Sequence, residues 1–600
     1  MTDEELVSQR DLAFQLYELL DAVALTRRAR FADHSRETFD AALETSHAIA
    51  AEKFAPYNRR GDEEEPRIVD GRVRLPPEVR EAVRAYCGAG LLSAADDYEH
   101  GGMQLPSLVA QACWSYFRSA NIATSSYLGL TSSNAKVIEL FGSDAQKRKY
   151  LAALRSGRFL GTMVLTEPQA GSSLSDLCAG ATPRGDGSYA IHGQKVFISG
   201  GDHELAENIV HLVLARLADA PAGVKGLSLF TVPKFHVESD GRLGGRNDVA
   251  LAGLIHKCGW RGTTSTILSF GEHGGCIGEI VGRPNEGLAA MFHMMNEARI
   301  GVGMGATMLG YRGYLAALRY ARERPQGRHP GAKNPREPQV RLVEHADVRR
   351  MLLAQKAYVE GAFSLVLYAA WLVDEQGTAS DETARVEAGA LLELLTPVVK
   401  SWPSQFCLEA NSLAIQVHGG YGYTRDYPVE QYWRDNRLNM IHEGTHGIQA
   451  IDLLGRKALM NQGAALAALD RQIRATLAAS EAHAPLRDLA PALARSWRGV
   501  AAALESLRPR LQTDPRAALA NASAFLEAFG HTVIGWTWLR QGLAALRGLP
   551  GASARDADFY QGKLQACRWF LRWELPRADA LLARLRDGDD TALAMPPEWF

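Results

Sequence analysis

"IHEGTHGIQAIDLLGRK" occupies residues 441–457. His442, Glu443 and His446 in this stretch have the H-E-x-x-H spacing. On a continuous helix that spacing puts two imidazoles one turn apart on one face, where they hold zinc beside a glutamate base. Gly444 sits between the histidines and Gly447 follows the second. Each glycine costs a helix interior about 1 kcal/mol relative to alanine. A third protein ligand is also required, and no metzincin-type extension follows. No metal is expected here, and Glu443 is left as a carboxylate available for other chemistry.

Outward from this stretch, composition narrows the field. The 600 residues are enough for roughly three to five domains. They are 46% hydrophobic and 22% charged, the balance of a soluble globular protein. A formal net charge of −2 gives no electrostatic case for nucleic acid or an anionic membrane as partner. The seven cysteines are scattered and none forms C-x-x-C, so neither a disulfide framework nor a cysteine zinc site is expected. The opening "MTDEELVSQRDLAFQLYELL" is acidic and unlike a secretory signal. No run of about 18 apolar residues appears, so no stable membrane insertion is expected. The expectation is a cytoplasmic protein.

Periodicity divides the chain into four segments and predicts an α+β multidomain fold. Residues 1–160 read as an N-terminal helical domain: "SRETFDAALETSHAIAAEKF" spaces its apolar residues at helical intervals, and "SDAQKRKYLAALRSGR" opens on the good N-caps Ser143 and Asp144. Residues 161–283 change character. "YAIHGQKVFIS", "NIVHLVLARL", "GLSLFTVPKF" and "TSTILSFGE" are short β-rich runs between Gly/Asp/Asn turns, which predicts a middle antiparallel β-domain. Residues 284–457 return to helical spacing as a bundle domain, interrupted by the loop "RPQGRHPGAKNPREPQV". Residues 458–600 form an extra C-terminal helical block with 17 Lys/Arg against 14 Asp/Glu by count, close to balance.

Two glycine-bearing stretches have weak meanings alone. "GVGMGATMLG" (301–310) has no preceding strand, so its glycines read as small residues where helices pack rather than as a Rossmann phosphate turn. "QVHGGYGYTRDYPVE" (416–430) reads as a loop in which the backbone approaches something closely. "MVLTEPQAGSSLSDL" (163–177) ends an apolar run in a loop of Gly and Ser, whose N–H groups and hydroxyls suit a phosphate or a polar ring edge.

Taken together and in this order, the pieces resemble the acyl-CoA dehydrogenase family. "LTEPQAGSS" is similar to its T-E-P-x-A-G-S-D signature, "QVHGGYGYTRDYPVEQYWRD" to its Q-x-x-G-G-x-G-[YF] signature, and "IHEGTHGIQ" to the I-Y-E-G-T stretch that follows. The resemblance covers about residues 35–457, and the C-terminal block is most like the long branch of the family that includes methylmercaptopropionyl-CoA dehydrogenase. It implies a helical domain, a β-domain and a four-helix domain, with FAD between them. It implies that Leu165, Thr166, Gly171 and Ser172 contact the flavin and its phosphate arm, and that Phe197 and Ser199 lie against the isoalloxazine. It places Arg324, Gln326, Gln416, Gly419 and Gly420 on the FAD of a neighbouring subunit, and Thr445 on FAD as well. It makes Glu443 the catalytic base, with Arg299, Ser172 and Gly444 at the acyl-CoA substrate. It further implies a homo-oligomer, at least a dimer, and electron-transfer flavoprotein as the electron acceptor.

The implied chemistry suits these residue types. Dehydrogenating a thioester removes a proton from Cα and a hydride from Cβ, so it needs a carboxylate aimed at Cα and a flavin N5 on the other face. Four positions depart from the family pattern. Ser173 stands where an Asp is usual, His442 where a Tyr is common, Gln431 where a basic residue is frequent, and Phe197 where several members have Trp. Two other readings compete: a DNA-binding alkylation-response flavoprotein of the same superfamily, which the near-balanced C-terminal charge disfavours, and a zinc hydrolase built on His442 and His446.

Overall fold

Ser143 opens its helix as the sequence predicts. Its hydroxyl accepts from the Gln146 N–H, and the Gln146 side chain accepts from the Ser143 N–H, a complete capping box on Asp144–Arg155. Gln146 Nε2 also donates to Thr231 Oγ1 and the carbonyl of Ile280, both at 3.1 Å. The cap thus fixes the helix to the neighbouring sheet. The computed structural model describes residues 5–332 and 334–600, the side chains of 293–297 excepted; the first four residues of the predicted 1–160 domain fall outside it.

The chain forms two compact units, each built from more than one segment of the sequence. One comprises residues 37–105 and 116–301. Its helices include Pro77–Gly88, Ile122–Phe141 and Asp144–Arg155. Its eight-stranded sheet runs in the order Val249–Leu254, Ser265–Phe270, Tyr189–Ser199, Ile277–Val281, Leu227–Pro233, Asn208–Leu217, Phe159–Val164, with Gly180–Pro183 off this path. The sheet is mixed, which corrects the wholly antiparallel expectation. Phe159–Val164 pairs parallel with Asn208–Leu217 in the register Gly161 to Val210, and Gly180–Pro183 is also parallel to that strand. Parallel pairing requires a crossover of a dozen or more residues, and the chain between 164 and 208 supplies it. Leu227–Pro233 is buried along its whole length and Asn208–Leu217 over all but its last two residues. Burial on both faces explains why these strands read as continuous apolar runs.

The other unit comprises residues 1–36, 106–115 and 302–600. Its long helices are Ala346–Thr378 and Glu382–His418, together with Gly287–Glu323 from residue 302 onward. The C-terminal helices Ala464–Glu481, Ala490–Thr513, Ala522–Gly548, Ala554–Trp569 and Pro576–Asp587 belong to the same unit. Trp538 Nε1 donates to the Ala357 carbonyl at 3.0 Å, and Lys563, fully buried, donates to Glu360 at 2.8 Å and also pairs with Asp11. Ala346–Thr378 is long and apolar enough to cross a membrane, but 89% of its apolar window is buried inside the protein.

Two glycines of 301–310, Gly303 and Gly310, sit where helices pack closely. A Cβ at Gly303 would land on the Val399 carbonyl, and one at Gly310 would lie 2.7 Å from Cys407 Cβ. Pro403 has no N–H to offer the carbonyl four residues back, which is that of Val399. The Gly303 backbone fills the space beside it.

Candidate active site

The strand Phe159–Val164 delivers Leu165 and Thr166 into the loop 165–179. That loop closes on one buried carboxylate. Glu167 accepts from the N–H groups of Cys178 at 2.6 Å and Ala179 at 2.9 Å, and from Lys195 Nζ at 2.8 Å. Lys195 has no exposed surface and also donates to the carbonyls of Leu165 and Leu214. The Val196 N–H donates to the Thr166 carbonyl at 2.9 Å, lacing the loop to the strand Tyr189–Ser199. Burial pushes the Glu167 carboxyl up, but the Lys195 charge and the two N–H groups outweigh it and hold the group below its ordinary range. Burial pushes Lys195 down to about 8 against the pull of Glu167. Neither residue was singled out from sequence, although both lie within quoted motifs and a lysine inside an apolar strand was the available signal.

Two residues beyond Lys195, the strand bulges. Thr266 faces Ile198 and Leu268 faces Lys195, so Val196 and Phe197 together oppose Ile267. Phe197 takes a left-handed backbone, φ +57°, and the residue is 63% exposed. An aromatic residue adopts that conformation at a cost of about 1–3 kcal/mol, and the surrounding sheet must enforce it. Ser199 ends the strand opposite Ser265. Gly171 and Ser172 are exposed, and nothing lies within 4 Å of where a Gly171 Cβ would be. Ser173 donates to the Asp176 carboxylate, so an acid sits three residues after the place where the family pattern puts one. Arg299, 4% exposed, lies on the helix Gly287–Glu323.

The other candidates lie in the second unit. The helix Val429–Arg437 ends in the turn Leu438–Met440, and the chain then reverses through Glu443 at φ +54° and Gly444 at φ +84°. Thr445 caps the next helix, His446–Gly455, by accepting from the Ile448 N–H. The helix therefore begins at the second histidine, and His442 lies outside it. The zinc reading fails on this geometry, and no metal-holding group of three or more His, Cys, Asp or Glu exists among the described residues. Burial, then the nearby charge of Lys400, pushes the His446 imidazole down to about 4.

Both carbonyls of the reversal are held. Gln449 Nε2 donates to the Glu443 carbonyl at 3.1 Å, and Lys400 Nζ donates to that of Gly444 at 2.8 Å. A Cβ at Gly444 would come within 2.6 Å of Gln449 Nε2. A relay of buried amides supports the preceding turn: Asn439 donates to Asn436, Asn436 to Asn411 and the Ala306 carbonyl, and Asn411 to the Leu309 carbonyl. At one end of Glu382–His418, Gln416, Gly419 and Gly420 are exposed together, and the Gly419 N–H donates to the Gln416 carbonyl. Arg324 lies over the Tyr421 ring at 5.7 Å, and the Gln326 carbonyl is 2.7 Å from His345 Nε2. The structure thus gathers Arg324 and the Gly419–Tyr423 turn into one surface.

The conserved domains of known proteins account for most of the chain. The profile of the acyl-CoA dehydrogenase N-terminal domain matches residues 36–158, that of the acyl-CoA dehydrogenase C-terminal domain matches 285–459, and that of the acetyl-CoA dehydrogenase C-terminal-like domain matches 469–596. A 3-methylmercaptopropionyl-CoA dehydrogenase of Ruegeria pomeroyi is 38% identical over 97% of this chain and 98% of its own. The chain belongs to the acyl-CoA dehydrogenase family. A broad-specificity linear acyl-CoA dehydrogenase of Mycobacterium tuberculosis is 34% identical over 94% of this chain and 95% of its own. Caenorhabditis elegans ACDH-11, solved with C11-CoA, has the same fold, with a TM-score of 0.74 over 97% of this chain and 95% of its own at 18% identity. This acyl-CoA dehydrogenase is a flavoprotein with FAD as cofactor, and its reaction is the α,β-dehydrogenation of an acyl-CoA thioester. The residues fit a flavin: an exposed aromatic ring is held out on a left-handed bulge beside a loop fixed from beneath by a buried ion pair.

Proposed function

We propose that Glu443 is the base that removes the Cα proton of a linear acyl-CoA. The observation that carries this reading is the left-handed reversal at Glu443–Gly444, which lies between the helix ending at Arg437 and the helix starting at His446, so that no helix runs through the H-E-G-T motif. A non-glycine residue in that conformation is strained by about 1–3 kcal/mol, and such strain gathers where a side chain must be aimed. The carboxylate then takes the Cα proton as the hydride leaves Cβ. FAD held against Phe197 and Ser199 would supply the hydride acceptor.

On the flavin side, we assign Phe197 and Ser199 to the isoalloxazine, and Leu165, Thr166, Gly171 and Ser172 to the ring edge and phosphate arm. Arg299, Ser172 and Gly444 belong to the substrate. A linear acyl group is supported by the two near-full-length relatives, one named for methylmercaptopropionyl-CoA and the other for linear acyl-CoA. The same reading makes the chain a cytoplasmic homo-oligomer, at least a dimer, that passes electrons to electron-transfer flavoprotein and binds no nucleic acid. Its supports are the exposed set of Arg324, Gln326, Gln416, Gly419 and Gly420 for a neighbouring subunit's FAD, the net charge of −2, and seven cysteines outside any disulfide.

Glu443→Gln is the test. The purified variant keeps flavin absorption bands but is not bleached anaerobically by butyryl-CoA or methylmercaptopropionyl-CoA. Bleaching at the parent rate removes Glu443 from the role.

A further inference from the structure

The helix Glu382–His418 carries two internal prolines, Pro397 and Pro403, and Lys400 lies midway between them. Each proline deletes one i to i−4 hydrogen bond of the helix. Lys400 has no exposed surface. A buried lysine is retained only where its donors are used. Its Nζ donates at 2.8 Å to the carbonyl of Gly444, the residue after the proposed base. Its charge also reaches His446, two residues further on.

Gln449 grips the same reversal from the other side. Its Nε2 reaches the Glu443 carbonyl at 3.1 Å and the Gly444 carbonyl at 3.5 Å. The turn needs such restraint because two consecutive residues have left-handed backbones, and only one of them is glycine. Water could satisfy these carbonyls in a relaxed turn. A lysine and a glutamine rooted in two different helices hold them in one place.

We infer that Lys400 and Gln449 are positioning residues for the base, fixing the backbone of Glu443–Gly444 so that the Glu443 carboxylate is aimed. The inference rests on the assignment of Glu443 as base. Lys400 acts through the backbone and does not itself exchange a proton with substrate.

The experiment is anaerobic stopped-flow flavin reduction by butyryl-CoA on the FAD-loaded enzyme, with Glu443→Gln run in parallel. Misplacing a reacting group by about 1 Å slows a reaction by up to about a hundredfold. Lys400→Met is expected to lower the limiting reduction rate by about tenfold to a hundredfold, with the acyl-CoA dissociation constant and FAD content within twofold of the parent. Gln449→Met acts on the neighbouring carbonyl and is expected to give the same split with a smaller loss. It also serves if Lys400→Met does not fold. Reduction at the parent rate in both variants overturns the inference. So does a loss confined to substrate affinity or FAD content, which would mark a general structural role. If Glu443→Gln itself reduces flavin normally, the base assignment fails first; if it is inactive while both positioning variants match the parent, only the present inference fails.

Discussion

Lys195→Met removes one half of the buried ion pair that closes the loop 165–179. The change keeps chain length and apolar stem, so packing is nearly preserved. What is lost is a cation with three partners, the Glu167 carboxylate and the carbonyls of Leu165 and Leu214. Removing one member of a buried pair strands the other charge and costs about 3–5 kcal/mol. Glu167 keeps its N–H bonds from Cys178 and Ala179, which places the expected loss near the lower end, about 3 kcal/mol. In a unit of this size each kcal/mol lowers the melting point by roughly 2–4 °C, so the shift is roughly 6–12 °C. The chain has two units, so the first transition is followed by FAD release and flavin fluorescence rather than by one fitted unfolding energy. Lys195→Met combined with Glu167→Gln removes the stranded charge but keeps an acceptor for only one of the two N–H groups, because Cys178 and Ala179 donate to different carboxylate oxygens, and is expected to recover part of the loss. A single variant within about 1 kcal/mol of the parent, or a double variant no better than the single, refutes the clamp.

Gly303→Ala tests the close helix approach. Alanine favours a helix by about 1 kcal/mol, but its Cβ would meet the rigid Val399 carbonyl, and overpacking of about 1–3 kcal/mol wins; a thermal midpoint at or above the parent's refutes that packing. Acid sensitivity follows from four imidazoles that burial pushes down, His203, His211 and His531 to about 3 and His446 to about 4, from an ordinary 6.5. The unfolded chain binds their protons first, so stability is at its plateau above about pH 6.5 and falls as pH drops from there towards 4. Urea midpoints at steps of pH read the slope, and NMR signals of the His203, His211, His446 and His531 imidazoles that titrate near 6.5 in the folded protein refute it.

Much of the architecture was legible because local patterns carry it. The capping box at Ser143 and Gln146 is a contact over three residues, so the sequence states it outright. The strands Tyr189–Ser199, Asn208–Leu217, Leu227–Pro233 and Ser265–Phe270 fall on the β-rich runs. Gly444 and Gly447 argued against a helix through 442–446, and the helix indeed starts only at His446. The parallel pairing of Phe159–Val164 with Asn208–Leu217 was not legible, because the alternation of side chains is the same in either direction.

The sequence by itself determined element types, the order of helical and β segments, and motifs similar enough to a family to name FAD and an acyl-CoA. Tertiary structure alone decided the direction of one edge strand, the bulge that turns Phe197 outward, the pairing of Lys195 with Glu167 and the placement of Lys400 on the Gly444 carbonyl. The division has a physical cause. Hydrophobic period and capping are set by neighbours a few residues apart. A buried charge must instead find its partner across the fold, 28 residues away for Lys195 and 44 for Lys400, and no local pattern records that distance.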